Sequence, residues 1–173
     1  MSTDNPVVKD FIIPLEKYPN LNENQTIHDA VQVIRSFICG ENDRLRYAAL
    51  LVLNDRNQLV GGVTLRDILR GLDPRFREFP KVKKFEGKGS EFPDLTILWE
   101  DSFFVECTKR SQVPIKDFMS PIHHVKGGDP ILKALSIMLS TNDDILPVVD
   151  KDRVIGVIRL EEIFKEINDR CKI

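Results

Sequence analysis

The sequence predicts an α+β fold made of two copies of one βαββα unit that pack sheet to sheet, with a helix-containing segment inserted between them. Four blocks of the 173-residue chain occur twice in the same order, and in each copy a helix with an apolar stripe precedes two short apolar strands. A three-stranded unit of this size cannot cover both faces of its own sheet, and a domain of about 60 residues buries only about 60% of its unfolded surface. The two copies are therefore expected to share a core.

The duplication rests on blocks that keep their order and their approximate spacing. The tripeptide Lys-Asp-Phe follows an apolar residue both in 8–14 and in 115–121. The other three blocks pair 26–31 with 130–135, 50–55 with 146–151 and 59–68 with 154–163. Four similar blocks in one order indicate an internal duplication.

The first helix of each copy is predicted from its start signal and its apolar spacing. Thr26 is the expected N-cap of a helix over 26–37, in which apolar residues recur at intervals of three and four. Its counterpart is predicted to begin at Asp129, with Pro130 at the first helical position, where the fixed φ of proline is tolerated.

The remaining elements follow from short apolar runs separated by polar turns. An extended segment ends near Pro14 in the first copy and near Pro121 in the second. The predicted strands are 47–53 and 59–64, joined by the turn 54–57, and 145–149 and 154–158, joined by 150–152. A closing helix is expected near Leu65 and near Leu160.

The insertion between the copies has two parts with different patterns. Basic residues and aromatics alternate in 75–84, a pattern that could bind single-stranded nucleic acid, but scattered acidic residues favour a solvated loop. The segment 93–108 is predicted to be an amphipathic helix, because apolar side chains recur in it at helical spacing. These side chains are Leu95, Leu98, Trp99, Phe103 and Phe104. The stripe could pack on its own module or form a homodimer or partner contact, since aromatic stripes often anchor interfaces.

The composition excludes several classes of function. A net charge of −2 gives no overall attraction to nucleic acid or to an anionic membrane. The longest apolar run, 48–53, is too short to span a bilayer, and the N-terminal residues lack the order of a signal peptide. Three widely spaced cysteines without a CxxC pair are typical of a reduced cytoplasmic protein. No nucleophile and base can be nominated, so the chain is expected not to be an enzyme.

Three motifs together resemble the CBS-domain family, whose tandem pairs are called Bateman modules. These are 61–67 (GGVTLRD), 119–121 (MSP) and 146–150 (LPVVD) leading to Gly156. The resemblance covers a first repeat at 8–72 and a second at 114–168, and it leaves 73–113 as an unusually long linker. It implies a pseudo-twofold module with two clefts that binds AMP, ADP, ATP or S-adenosylmethionine as a regulatory ligand and not as a cofactor.

The same resemblance implies a role for the chain and its assembly. With no effector domain in the sequence, a stand-alone CBS pair is expected to regulate an unknown protein partner in trans. Bateman modules commonly pair through their helices, which favours a homodimer. The alternative is a structural interaction or dimerisation module whose clefts are empty.

In the first repeat the resemblance assigns Thr64 to a phosphate and Asp67 to a ribose. The residue types fit these roles: Gly61 lets a ligand approach the backbone, Thr64 opens a helix whose free N–H groups favour an anion, and a carboxylate accepts hydrogen bonds from vicinal hydroxyls. The alternative is that Thr64 and Asp67 form only a helix cap.

The resemblance also implies further cleft residues. Apolar side chains expected to enclose the base are Ile12, Ile13, Pro19 and Leu51, with Pro147 as the counterpart of Leu51. Asn20 and His124 occupy matching positions and are predicted to line the clefts. His123 and His124 do not suggest a metal site, because adjacent strand residues point to opposite sides and no further ligand completes a set.

The second repeat departs from the pattern. Arg159 replaces the threonine and Glu162 replaces the aspartate. Arg159 could hold a phosphate bidentately while Glu162 reaches a ribose, or the two could form an ion pair at a degenerate site. We therefore expect one good nucleotide site and one altered or empty site.

Overall fold

The computed structural model describes residues 5–39, 44–77 and 100–172. The helices in these ranges are α1 (Ile27–Ser36), α2 (Leu65–Leu72), α3 (Glu100–Arg110), α4 (Ile131–Thr141) and α5 (Leu160–Cys171). The strands are β1 (Ile13–Pro14), β2 (Asn20–Asn22), β3 (Ile38–Cys39), β4 (Arg44–Leu45), β5 (Ala49–Leu53), β6 (Leu59–Thr64), β7 (Val125–Lys126), β8 (Ile145–Asp150) and β9 (Arg153–Arg159). The predicted α+β fold class is confirmed.

The first helices of the two repeats begin differently. At α1 the Asp29 N–H donates to Thr26 Oγ1 at 3.3 Å and the Thr26 N–H donates to Asp29 Oδ2 at 2.9 Å, a capping box at the predicted N-cap. At α4, Pro130 was predicted as the first helical residue but has an extended ψ of 143° and precedes the helix, which begins at Ile131.

Each repeat has a hairpin flanked by a short parallel strand. β5 pairs antiparallel with β6, and β8 pairs antiparallel with β9. β2 adds parallel to β5, and β7 adds parallel to β8. β2 has three residues and β7 has two. Segments this short cannot show the alternation of apolar and polar residues by which a strand is recognised in a sequence.

The leading segment of each repeat joins the sheet of the other repeat. β1 runs antiparallel to β9, with Ile13 opposite Val157. Ser120, the counterpart of Ile13 in the second repeat, forms an antiparallel bridge with Gly62 on β6. The two repeats are thus tied together by an exchange of extended segments.

This exchange extends into the cores. Val8 and Ile115 are aligned in the duplication, and both are fully buried. Val8 lies in the core between the second sheet and α4 and α5, whereas Ile115 lies in the core between the first sheet and α1 and α2. Each repeat therefore completes the hydrophobic core of its partner.

A third apolar cluster lies between the two sheets, as sheet-to-sheet packing requires. Its buried members are Tyr18, Tyr47, Leu51, Leu53, Val154 and Val157. The Tyr18 ring contacts the Tyr47 ring at a centroid distance of 4.7 Å and a tilt of 55°, and the Tyr18 hydroxyl donates to the Ala49 carbonyl at 2.8 Å. The shared core that the sequence predicts is the packing between these sheets.

The inserted helix is described from Glu100 onward and ends at Arg110, two residues beyond the predicted end. Leu95, Leu98 and Trp99 lie outside the described residues, as does most of the basic stretch 75–84. Phe103 packs edge to face on Phe76 at 5.6 Å, whereas the side chain of Phe104 is exposed. Nowhere in the described ranges is a helix both long and apolar enough to cross a membrane.

Candidate functional site

The first candidate site is the N-terminus of α2, where Thr64 and Asp67 form a second capping box. Asp67 Oδ2 accepts from the Thr64 N–H at 2.8 Å and from the Thr64 hydroxyl at 2.7 Å. The Asp67 N–H donates to Thr64 Oγ1 at 3.2 Å. Asp67 Oδ1 has no hydrogen-bond partner within the described part of the chain, so this oxygen is available to a ligand hydroxyl.

Asp67 also contributes to a shallow cavity of about 370 Å³ formed with the leading segment of the second repeat. The other lining residues are Arg70, Asp117, Phe118 and Met119. The exchange of segments therefore places residues of the second repeat beside the carboxylate of the first. Thr64 does not line this cavity.

Gly61 has a structural reason to be glycine. A Cβ at this position would lie 3.0 Å from the Ser120 carbonyl oxygen and 3.2 Å from Met119 Sδ. Gly61 and His124 line a common cavity of about 510 Å³ near the hairpin turns, away from Thr64 and Asp67. The space that the missing side chain leaves is used by the second repeat's leading segment, and its use by a ligand stays a prediction.

The residues predicted to enclose the base do not form one cavity. Leu51 is 1% exposed and packs between the sheets, and Pro19 and Pro147 are buried. Ile13 pairs with Val157 in the sheet, and Ile12 packs against the second repeat's core. Asn20 Nδ2 donates to the carbonyls of Leu15 and Tyr18. Ile12, Ile13 and Leu51 thus pack against the other repeat in this structure. Contact of any of these residues with a ligand stays a prediction.

The second candidate site is the N-terminus of α5, where Arg159 and Glu162 form a bidentate pair. Arg159 Nε donates to Glu162 Oε2 at 2.9 Å, and Nη2 donates to Oε1 at 2.6 Å. The side chains are only 20% and 19% exposed, so this pair is less solvated than a typical surface ion pair. Hydrogen bonding to Glu162 raises the pKa of Arg159 above its ordinary value, which keeps the guanidinium charged.

A cavity of about 550 Å³ opens beside Arg159, between the two repeats. Its lining residues are Arg46, Tyr47 and Ala48 from the first repeat and Asp144, Ile145, Arg159, Leu160, Glu161, Phe164 and Lys165 from the second. The Arg46 guanidinium lies 5.4 Å from the centroid of the Tyr47 ring. The volume is within the range of small-molecule sites, which is about 300–1,000 Å³.

Tyr47 was not among the predicted site residues. It is 4% exposed, and its hydroxyl is buried without a hydrogen-bond partner among the described residues. The sequence signal was its place as the first residue of the predicted strand 47–53, where an aromatic residue is an ordinary core residue. The hydrogen-bonding state of its hydroxyl cannot be inferred from sequence.

The two adjacent histidines lie in different surroundings. His123 Nδ1 is 3.1 Å from Asp143 Oδ2, and both side chains are at least partly exposed, whereas His124 lines the cavity of Gly61. Among the residues that the structure describes, no three His, Cys, Asp or Glu side chains are grouped so that they could hold a metal ion.

Comparison with known proteins gives both a family and a fold. The sequence profile of the CBS domain matches residues 8–73 and 115–169. A structure of CBSX2 in complex with AMP aligns with a TM-score of 0.63 at 20% identity, covering 95% of this chain and 98% of that one. The structure of CBSX2 from Arabidopsis thaliana aligns with a TM-score of 0.65 at 18% identity, covering 98% and 99%. A CBS domain-containing protein from Kribbella flavida aligns with a TM-score of 0.68 at 15% identity, covering 93% and 97%. No curated protein matches the chain.

Proposed function

Because the chain belongs to the CBS-domain family, we propose that it is a ligand-sensing regulatory module that binds an adenine nucleotide or S-adenosylmethionine between its repeats. The observation that carries the proposal is Asp67, whose Oδ2 is fixed by the capping box while its Oδ1 has no partner among the described residues. A structural relative, CBSX2, was solved in complex with AMP.

The helix cap and the nucleotide site are compatible in this geometry. The two bonds from Thr64 to Oδ2 fix the rotamer of Asp67 before a ligand arrives, which lowers the entropy cost of binding. Oδ1, which has no partner among the described residues, can accept from a ribose hydroxyl, and the N-terminus of α2 favours a phosphate close to Thr64.

The rival function is a structural interaction module whose clefts stay empty. The burial of Leu51, Pro19 and Pro147 favours it, because a base would need a wall that these side chains do not expose. Catalysis is not part of the proposal, since the His123–Asp143 pair has no serine or cysteine partner in the described part of the chain.

A ligand panel separates the two functions. An adenine nucleotide at 100 times its dissociation constant is expected to stabilise the fold by about 2.7 kcal/mol, which raises Tm by about 5–10 °C for a chain of this size. Thermal unfolding with AMP, ADP, ATP, S-adenosylmethionine and NAD measures this shift. An unchanged Tm with every compound at millimolar concentration would identify the empty module.

We further propose that the chain is a cytoplasmic homodimer that acts on a separate protein, with α3 in the dimer contact. Phe104 and Val105 on α3 are 62% and 61% exposed, more than an isolated module needs. Phe104→Ala is expected to shift the mass measured by light scattering towards that of one chain, because truncating a central aromatic can cost about 2 kcal/mol of association or more. Dissociation caused by Leu139→Ala on α4 but not by Phe104→Ala would place the contact on the repeat helices.

A further inference from the structure

We propose that the second cleft is a site for a phosphate chain without ribose recognition, and that Glu162 competes with this ligand for Arg159. The proposal extends the proposed function to the cavity of about 550 Å³ at the start of α5. It concerns a free polyphosphate or the phosphate tail of a nucleotide, which have the same chemistry.

The guanidinium of Arg159 already holds an oxyanion in the geometry that a phosphate would adopt. Nε and Nη2 bind the two oxygens of the Glu162 carboxylate at 2.9 and 2.6 Å, and Nη2 lies 3.2 Å from Glu161 Oε2. Bidentate recognition of this kind serves carboxylates and phosphates equally. Glu162 therefore occupies the place of an anionic ligand.

Glu162 is a poorer acceptor for a ribose than Asp67, because a charged donor already binds it. Both of its carboxylate oxygens accept from Arg159, whereas Asp67 keeps Oδ1 without a partner among the described residues. A sugar diol at the second cleft would have to share the Glu162 oxygens with a charged donor, which is the stronger partner. A phosphate can instead take over the guanidinium and leave the Glu162 carboxylate to solvent.

A second feature of the cavity wall indicates a missing polar ligand. Tyr47 lines the cavity, is 4% exposed, and has a buried hydroxyl with no hydrogen-bond partner among the described residues. Buried hydroxyls are rarely left unpaired, and water or an ion often completes them.

The charges around the cavity are balanced while Glu162 is ionised. Arg46, Arg159 and Lys165 supply three cations, and Asp144 and Glu161 supply two acids on the wall, with Glu162 bound to Arg159 as the third. Replacing Glu162 by a neutral residue leaves one net positive charge around the cavity. It also releases Arg159 Nε and Nη2 from the Glu162 carboxylate. Glu161 stays close to Arg159, but its side chain is largely exposed, so solvent and salt screen its charge.

The test is titration calorimetry with tripolyphosphate at low ionic strength, in an Asp67→Ala background that weakens the first site. Glu162→Gln keeps the side-chain length and is expected to bind tripolyphosphate at least tenfold more tightly than the chain with Glu162. Arg159→Gln added to Glu162→Gln should abolish the gain. Glu166→Gln on the same helix, where Glu166 pairs with Arg170 away from the cavity, is the matched control and should change nothing.

Two outcomes would overturn the proposal. One is a Glu162→Gln variant that is folded by circular dichroism but binds tripolyphosphate no more tightly. Glu162→Ala gives the same test if the glutamine variant does not fold. The other is ADP binding to Glu162→Gln more than tenfold more tightly than pyrophosphate, which would show that adenosine is recognised as well. Tripolyphosphate lacks adenosine, so its failure to bind would leave the nucleotide proposal for the first cleft intact.

Discussion

Gly156→Ala is expected to lower the free energy of unfolding by about 3 kcal/mol, at the upper end of the usual cost of overpacking. A Cβ on Gly156 would lie 2.2 Å from the Ile13 carbonyl oxygen and 3.3 Å from Pro14 Cα. These atoms belong to the backbone of β1, so no side-chain rotation can relieve the contact. The exchanged segment would have to move away from β9, and Val8, which precedes β1 and lies in the second core, would lose its packing.

Urea unfolding of Gly156→Ala and Gly128→Ala measures this effect. Gly128 is the matched control, because a Cβ there would meet no atom within 4 Å. Its replacement by alanine is expected to leave stability unchanged or to raise it by about 0.4–1 kcal/mol through the unfolded state. Equal stability of the two variants would mean that the close pairing of β1 with β9 does not stabilise the fold.

Asp67→Ala is expected to weaken adenine-nucleotide binding by about ten- to a hundredfold, since a hydrogen bond to a charged acceptor contributes about 1.5–3 kcal/mol. Calorimetry at a temperature where the variant is folded measures the affinity. Glu162→Ala is the comparison, and it should not weaken nucleotide binding at the first cleft, because Glu162 bonds to Arg159 and does not line the cavity of Asp67. A larger loss at Glu162 than at Asp67 would reverse the assignment of the two clefts.

Much of the fold could be predicted because both repeats carry the same local residue patterns. The capping box of Thr26 and Asp29, the two hairpins and the starts of α2 and α5 all follow from local residue patterns. The exchange of leading segments could not be predicted, because Val8 and Ile115 are equivalent in sequence and either core would accept either side chain. Only the three-dimensional path of the chain decides which core each residue enters.

The candidate sites, like the fold, could be predicted only in part from the sequence. The Thr-x-x-Asp pattern correctly located a helix start, and the departure at Arg159 and Glu162 pointed to a different second cleft. Apolar residues such as Leu51 gave no signal that separates a cleft wall from a core, since both need the same residue types. Tyr47 was missed because an unpaired hydroxyl is a property of its surroundings and not of its sequence neighbours.

We propose that the two similar repeats form two unequal clefts and that the first of them binds the nucleotide. Calorimetric titration of the unmodified chain and of Asp67→Ala with AMP tests this claim most directly. We predict one tight site per chain in the unmodified protein and its loss in the variant. Two equivalent sites per chain, or the same tight binding after Asp67→Ala, would contradict it.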